Sequence, residues 1–173
     1  MKALRHFFLC VAAALLSSCA GYGGSGLRPG IDTLAEVIAT MGAPAMRWSD
    51  PDGRIQLAYP RGPSGTQTFM AHIRPDGRLD RIEGVLDARH FALIENGKST
   101  QADVLRILGP SFPGWTAYFE ARNELVWEWR FCNDWGQMAR FDVLFDGTTG
   151  VVRTTYQRTE LVGLRGASLS CAH

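Results

Sequence analysis

An internal repeat constrains this chain more than any other feature. A sequence that matches itself in one register folds as two related units, and here the register is an offset of 67 residues. Reading from Gly30 and from Gly97, Thr33 falls on Thr100, Glu36 on Asp103, Val37 on Val104, Gly42 on Gly109 and Trp48 on Trp115. Each copy opens with Thr-x-x-acid, a capping box in which the threonine hydroxyl and the acidic side chain satisfy orphan amides at a helix start. Apolar residues at helical spacing follow: Leu34, Val37, Ile38 and Met41 in the first copy, Val104, Leu105 and Leu108 in the second. Both runs stop at glycine with a proline close behind, Pro44 and Pro110, as helix C-termini do.

After each helix the period changes to two. Ile55, Leu57 and Tyr59 share a face over 54–59, as do Phe69, Ala71 and Ile73 over 66–73, and Pro75-Asp76-Gly77 turns the chain into a strand over 79–86. In the second copy Leu125, Trp127, Trp129 and Phe131 share a face, with Val126, Glu128 and Arg130 opposite. Asn133–Gly136 turns, Phe141, Val143 and Phe145 share the next face, and Asp146-Gly147 leads into 151–156. A short helix is expected before each capped one, most clearly over 88–95. The fold class is therefore α+β: two tandem units, 31–87 and 88–158, each a short helical pair plus a three- to four-stranded antiparallel meander. The helices lie on one face of the sheet, since half-apolar strands cover one face and leave the other wet. A unit of about 60 residues buries only about 60% of its unfolded surface, so the two units are expected to pack together as one extended sheet.

The N-terminus reads as an address. Lys2 and Arg5 precede an apolar run from Phe7 to Leu16 that is too short to span a bilayer. Leu16-Ser17-Ser18-Cys19-Ala20 resembles a bacterial lipobox, which implies a lipoprotein signal peptide over 1–18, cleavage before Cys19, diacylglycerol on its sulfur and an acyl chain on its amine. Two lipid signals give stable anchoring. Ala20, where an aspartate would mark inner-membrane retention, implies sorting to the outer membrane. Residues 19–30, rich in glycine, read as a flexible tether.

Composition excludes several classes. With 46% hydrophobic and 20% charged residues the chain is ordinary globular material. A formal net charge of +1 offers no basic face for nucleic acid. Ala92 to Ser99 matches a relaxed phosphate-loop pattern, but its loop positions Leu93, Ile94, Glu95 and Asn96 are apolar or acidic and sit inside a helix–turn–helix, so no nucleotide site is expected. No His-Glu-x-x-His, Cys-x-x-Cys or Gly-x-Ser-x-Gly occurs. No cofactor, metal or catalytic constellation is expected.

The run Gly97-Lys98-Ser99-Thr100-x-x-Asp103-Val104-x-x-x-Leu108-Gly109-Pro110 is followed by Trp127-x-Trp129 and Phe141-x-Val143-x-Phe145-Asp146. Together they resemble the SmpA/OmlA (BamE-type) small outer-membrane lipoproteins over about residues 28–157, with Met41-Gly42-Ala43-Pro44 as the first copy's weaker form. The resemblance implies a non-enzymatic, lipid-anchored protein facing the periplasm that assists the machinery inserting β-barrels into the outer membrane. The doubled unit is also similar to the β-lactamase-inhibitor-protein fold, whose tandem units present a concave sheet to a protein. That similarity implies the alternative of a module binding a periplasmic enzyme.

Four residues are candidates for partner binding. Trp135 sits in the tight Asn133–Gly136 turn, either as an exposed anchor or packed on a neighbouring loop. Glu128 and Arg130 lie opposite the aromatic face of their strand. His72 lies on the polar face of its strand near Asp76 and Asp80, as a base, a ligand or a solvated surface residue. Once the signal takes Cys10 and lipid takes Cys19, Cys132 and Cys171 remain in an oxidising compartment and are expected to pair, tying down an otherwise aperiodic tail over 159–173. The other outcome is two unpaired thiols.

Overall fold

The computed structural model describes residues 23–61, 65–162 and 166–171. The expected signal peptide and Cys19 lie outside the described residues. Helix α1 spans Leu34–Met41, and strands β1 to β4 span Met46–Ser49, Ile55–Pro60, Thr68–Ile73 and Leu79–Gly84. Helices α2, Ala88–Phe91, and α3, Gln101–Leu108, open the second copy. Strands β5 to β8 follow over Ala117–Phe119, Glu124–Cys132, Met138–Asp146 and Val152–Thr159, and the tail adds β9, Leu161–Val162, and β10, Ala167–Ser168. The strands form two antiparallel four-stranded meanders, β1-β2-β3-β4 and β5-β6-β7-β8, with β9 and β10 as a separate hairpin.

The duplication is written in hydrogen bonds as well as in sequence. Both capping boxes form: Thr33 and Thr100 each accept at Oγ1 from the amide three residues on, while Glu36 and Asp103 reach back to the cap amide. Leu79 N–H donates to Asp32 O at 2.7 Å and Val152 N–H to Ser99 O at 2.8 Å. Gly30 N–H donates to Leu79 O at 2.7 Å and Gly97 N–H to Val152 O at 2.7 Å. Leu34 and Gln101 donate to the turn glycines Gly77 and Gly150. Each helix is thus pinned at its N-terminus to the start of its unit's last strand, which places both helices across their sheets in the same way.

The layering differs from the expected single extended sheet. The two meanders are separate sheets stacked through the second unit's helices. On one face of the first sheet, Leu57, Tyr59, Ala71, Ile73 and Leu79 pack with Val37 and Met41 of α1. On its other face Ala58 and Met70 join a larger core with Val104 and Leu108 of α3 and with Trp129, Phe131, Phe141, Val143 and Phe145 of the second sheet. The helices therefore lie on one face of the second sheet, whereas the first sheet is covered on both. That double burial explains why strand β2 is buried at four consecutive positions, Gln56 included. Gln56 carries its polar group inside by donating Nε2–H to Arg106 O at 2.7 Å.

Three further expectations change. Among the described residues the helical pair forms only in the second unit. Before α1, residues 23–32 make turns, and Leu27 packs against the first core. Part of the expected tether thus belongs to the fold, because an apolar side chain and a Gly30–Leu79 hydrogen bond hold it there. The tail is not aperiodic: Thr159 ends β8, and Met138 N–H donates to Leu169 O and Cys171 N–H to Gly136 O. The short edge strands β1 and β5 complete both meanders.

Candidate functional site

Antiparallel pairing puts one charged residue opposite another across the uncovered face of the second sheet. In β6, Glu128 and Arg130 alternate with the buried Trp129 and Phe131, and in β7, Arg140 and Asp142 alternate with Phe141 and Val143. The register sets Glu128 against Asp142 and Arg130 against Arg140, and then Arg140 against Arg158 of β8. Left to themselves, facing arginines repel. Here three carboxylates interleave with them. Arg140 donates to Glu128 and, at 3.0 Å, to Glu160; Arg130 donates to Glu160 at 2.7 Å; Arg158 donates to Glu128 and, at 2.8 Å, to Asp142. Three arginines and three carboxylates make one continuous alternating chain, a charge lattice across the three strands.

The lattice is partly dry although no helix among the described residues covers it. Glu128 is 7% exposed, with the Arg140 and Arg158 guanidiniums on its two carboxylate oxygens. Trp115, from the turn Pro113–Trp115, lies over the Arg140 guanidinium at 4.8 Å, a cation–π contact that adds to the cover. Burial pushes the Glu128 carboxyl above its usual range and the adjoining Asp142 carboxyl adds to this, against the pull of Arg140. Glu160 is held below its usual range: burial works against it, but hydrogen bonds from Arg140 and Arg130 prevail. Ion pairs of this kind fix geometry more than they add stability. Around the lattice stand exposed aromatics, Phe119 with Arg122 at 4.4 Å from its ring, and Tyr156, 56% exposed and opposite Asp142.

The structure brings two of the candidate residues, Glu128 and Arg130, into this lattice. It leaves Trp135 and His72 outside it. Trp135 is 86% exposed in its turn, the exposed alternative of its two readings. His72 lies on the first sheet with its side chain 23% exposed; of the two expected neighbours Asp80 acts on it electrostatically, and its ion-pair partner is Glu83. Its Nε2 lies 2.8 Å from Glu83 Oε1, the other Glu83 oxygen lies 3.8 Å from His90 Nε2, and His90 Nδ1 lies 2.8 Å from Asp87. Burial lowers the His72 pKa, Arg81 lowers it further, and Glu83 opposes both. Among the described residues no group of three His, Cys, Asp or Glu is arranged to hold a metal. Cys132 and Cys171 meet as expected, with sulfurs 2.03 Å apart and Cα atoms at 6.1 Å. The pair closes the lattice's end of the sheet, because Cys132 shares the face of Glu128 and Arg130.

Sequence reasoning missed Arg140, Asp142, Arg158, Glu160 and Trp115. The signal for the first two was present: in 138–146 every apolar core residue alternates with Met138, Arg140, Asp142 or Leu144, so the strand's wet face was readable. Arg158 and Glu160 required the register of β8, and Trp115 required the turn that folds it back. Compared with protein-family models, curated proteins and solved structures, the chain matches none, so the resemblance to small outer-membrane lipoproteins rests on the residues that carry it.

Proposed function

We propose that this chain is a lipid-anchored, non-enzymatic protein-binding module of the bacterial outer membrane, with a BamE-like role beside the β-barrel assembly machinery. The observation that supports it is the uncovered face of the second sheet. A preorganised set of arginines and carboxylates stands there among Trp115, Phe119 and Tyr156, the residue types that dominate protein interfaces. Because the lattice is internally neutralised, a partner meets charges already held in place and loses little entropy fixing them. Tandem units with one open sheet face also suit the second reading, an inhibitor-like module that grips a periplasmic enzyme.

A photo-reactive residue at Tyr156, in cells, tests both. Barrel-assembly components cross-linked there support the first reading, and a single soluble hydrolase supports the second. Arg158→Glu, which sets a carboxylate against Glu128 and Asp142, is expected to abolish the cross-link. Retention of the same cross-links at full yield in that variant would remove this face from the binding surface. In the same preparation Cys19→Ser is expected to leave the membrane fraction, and persistence there after a salt wash would overturn the lipid anchor.

A further inference from the structure

A cleft of about 400 Å³ opens where the two units meet, between the ends of β2 and β3 and the loop 110–115. That is within the size range of small-molecule pockets, and at about 30 Å³ per water-sized unit it holds roughly a dozen non-hydrogen atoms. Hydrocarbon lines most of it: Pro60, Leu86, Pro110, Phe112, Trp115 and Trp129. Of the polar side chains in the wall, Thr68 and Ser111 carry hydroxyls that both donate and accept, and the others donate. Gln67 spends its Oε1 on the amides of Leu86, at 3.0 Å, and Thr68, at 3.1 Å, and so has only its NH₂ to offer. Trp129 is 3% exposed, and its indole N–H finds no acceptor among the described residues. Arg130, paired on its Nε with Glu160, supplies a guanidinium, and no carboxylate lines the cleft among the described residues.

We propose that this cleft binds a small apolar carboxylate, the size of a medium-chain fatty acid, with its chain against Leu86, Phe112 and Trp115 and its head at Arg130. Charge complementarity selects that occupant. A hydrocarbon body suits the wall, and an anionic acceptor suits a rim with a guanidinium, an indole N–H and an amide NH₂ but no carboxylate among its described lining residues. Arg130 can take a second acceptor, because its bond to Glu160 at 2.7 Å is made from Nε and the guanidinium carries four further N–H donors. The site shares Arg130 and Trp115 with the partner-binding face but not Tyr156 or Cys19, so decanoate binding is read separately from cross-linking at Tyr156 and from membrane anchoring.

Decanoate, with a dozen non-hydrogen atoms, is the probe. The full-length chain in phosphatidylcholine nanodiscs is titrated with it while the tryptophan indole N–H resonances are followed by NMR, the Trp129 signal being assigned by its loss in Trp129→Phe. A saturable shift of that signal is expected. Ser111→Trp, which fills the cleft from a loop position, is expected to weaken binding by at least tenfold. Arg130→Gln is expected to weaken it by about tenfold, the worth of one charge-assisted hydrogen bond, and Arg130→Lys to recover most of the loss. Decanol and decylammonium, which also enter the bilayer, are expected to bind about tenfold more weakly. No saturable shift of Trp129, equal binding of decylammonium, or an unchanged affinity in Ser111→Trp would each overturn the proposal. So would a leucine-rich peptide that shifts Trp129 where decanoate does not, which would assign the cleft to a protein segment.

Discussion

Asp87 shows how much one side chain can be asked to do. It caps α2 by accepting from His90 N–H at 3.0 Å, takes the His90 ring at 2.8 Å, and pairs with Arg89 at 2.9 Å. Burial works against its charge, yet these hydrogen bonds hold its pKa at about 2. A carboxyl whose folded pKa is depressed contributes stability above its unfolded pKa, about 3.9, and loses it as pH falls towards the folded value. Denaturant unfolding between about pH 4 and pH 2 is therefore expected to show a shallower loss of stability in Asp87→Asn than in the wild type. Asparagine keeps the cap, so an identical slope would mean that the charge contributes nothing there. In the sequence Asp87 was unremarkable, since the two groups that lower its pKa reach it only once α2 has formed.

At the scale of the element, equivalent glycines diverge. Gly42 ends α1 at φ 85°, ψ −170°, and Gly109 ends α3 at φ 75°, ψ −174°. Both lie in a region that only glycine occupies without strain of order 1–3 kcal/mol. A Cβ at Gly42 meets nothing within 4 Å, whereas one at Gly109 lies 2.9 Å from Thr68 Cγ2 and 3.5 Å from Ala58 Cβ. Both alanine variants are expected to lose stability by the shared strain. Gly109→Ala is expected to lose about 1–3 kcal/mol more, because α3 is pressed against the first sheet. Equal midpoint shifts in denaturant would show that the first sheet does not bear on α3. The two helix ends were legible as a repeat, and their inequality was not: the matching Gly-x-Pro and Gly-Pro endings say nothing of which end faces a second sheet. The edge strands β1 and β5, four and three residues long, escaped for a related reason. Such short runs contain too few alternations to show a period.

For the molecule as a whole, the consequence of the stacking is that the first unit is incomplete alone. Its sheet rests on α3 through Ala58 and Met70, and Gln56 loses its Arg106 partner if the second unit is removed. Arg106 adds a second tie, donating to Asp50 at 2.8 Å with its guanidinium 5.5 Å from the Trp48 ring. A fragment of residues 23–87 is therefore expected to lack a cooperative unfolding transition. A sharp two-state melt with native-like dispersion in the fragment would show that α3 is not needed. The sequence by itself determined what repeats locally: two capped helices with glycine stops, the apolar face of each long strand, the polar face carrying Glu128 and Arg130, and a cysteine pair left over to bond. Those follow from periodicity, from capping chemistry and from counting, all of which act within a few residues of one chain segment. Only the tertiary structure decided that the meanders stack as separate sheets, that β2 is buried on both faces, that Arg158 and Glu160 join the charge lattice, and that a cleft opens between Leu86 and Trp115. Each of these depends on register or packing between segments tens of residues apart. Periodicity reports that a face is apolar or polar but not which distant face it meets.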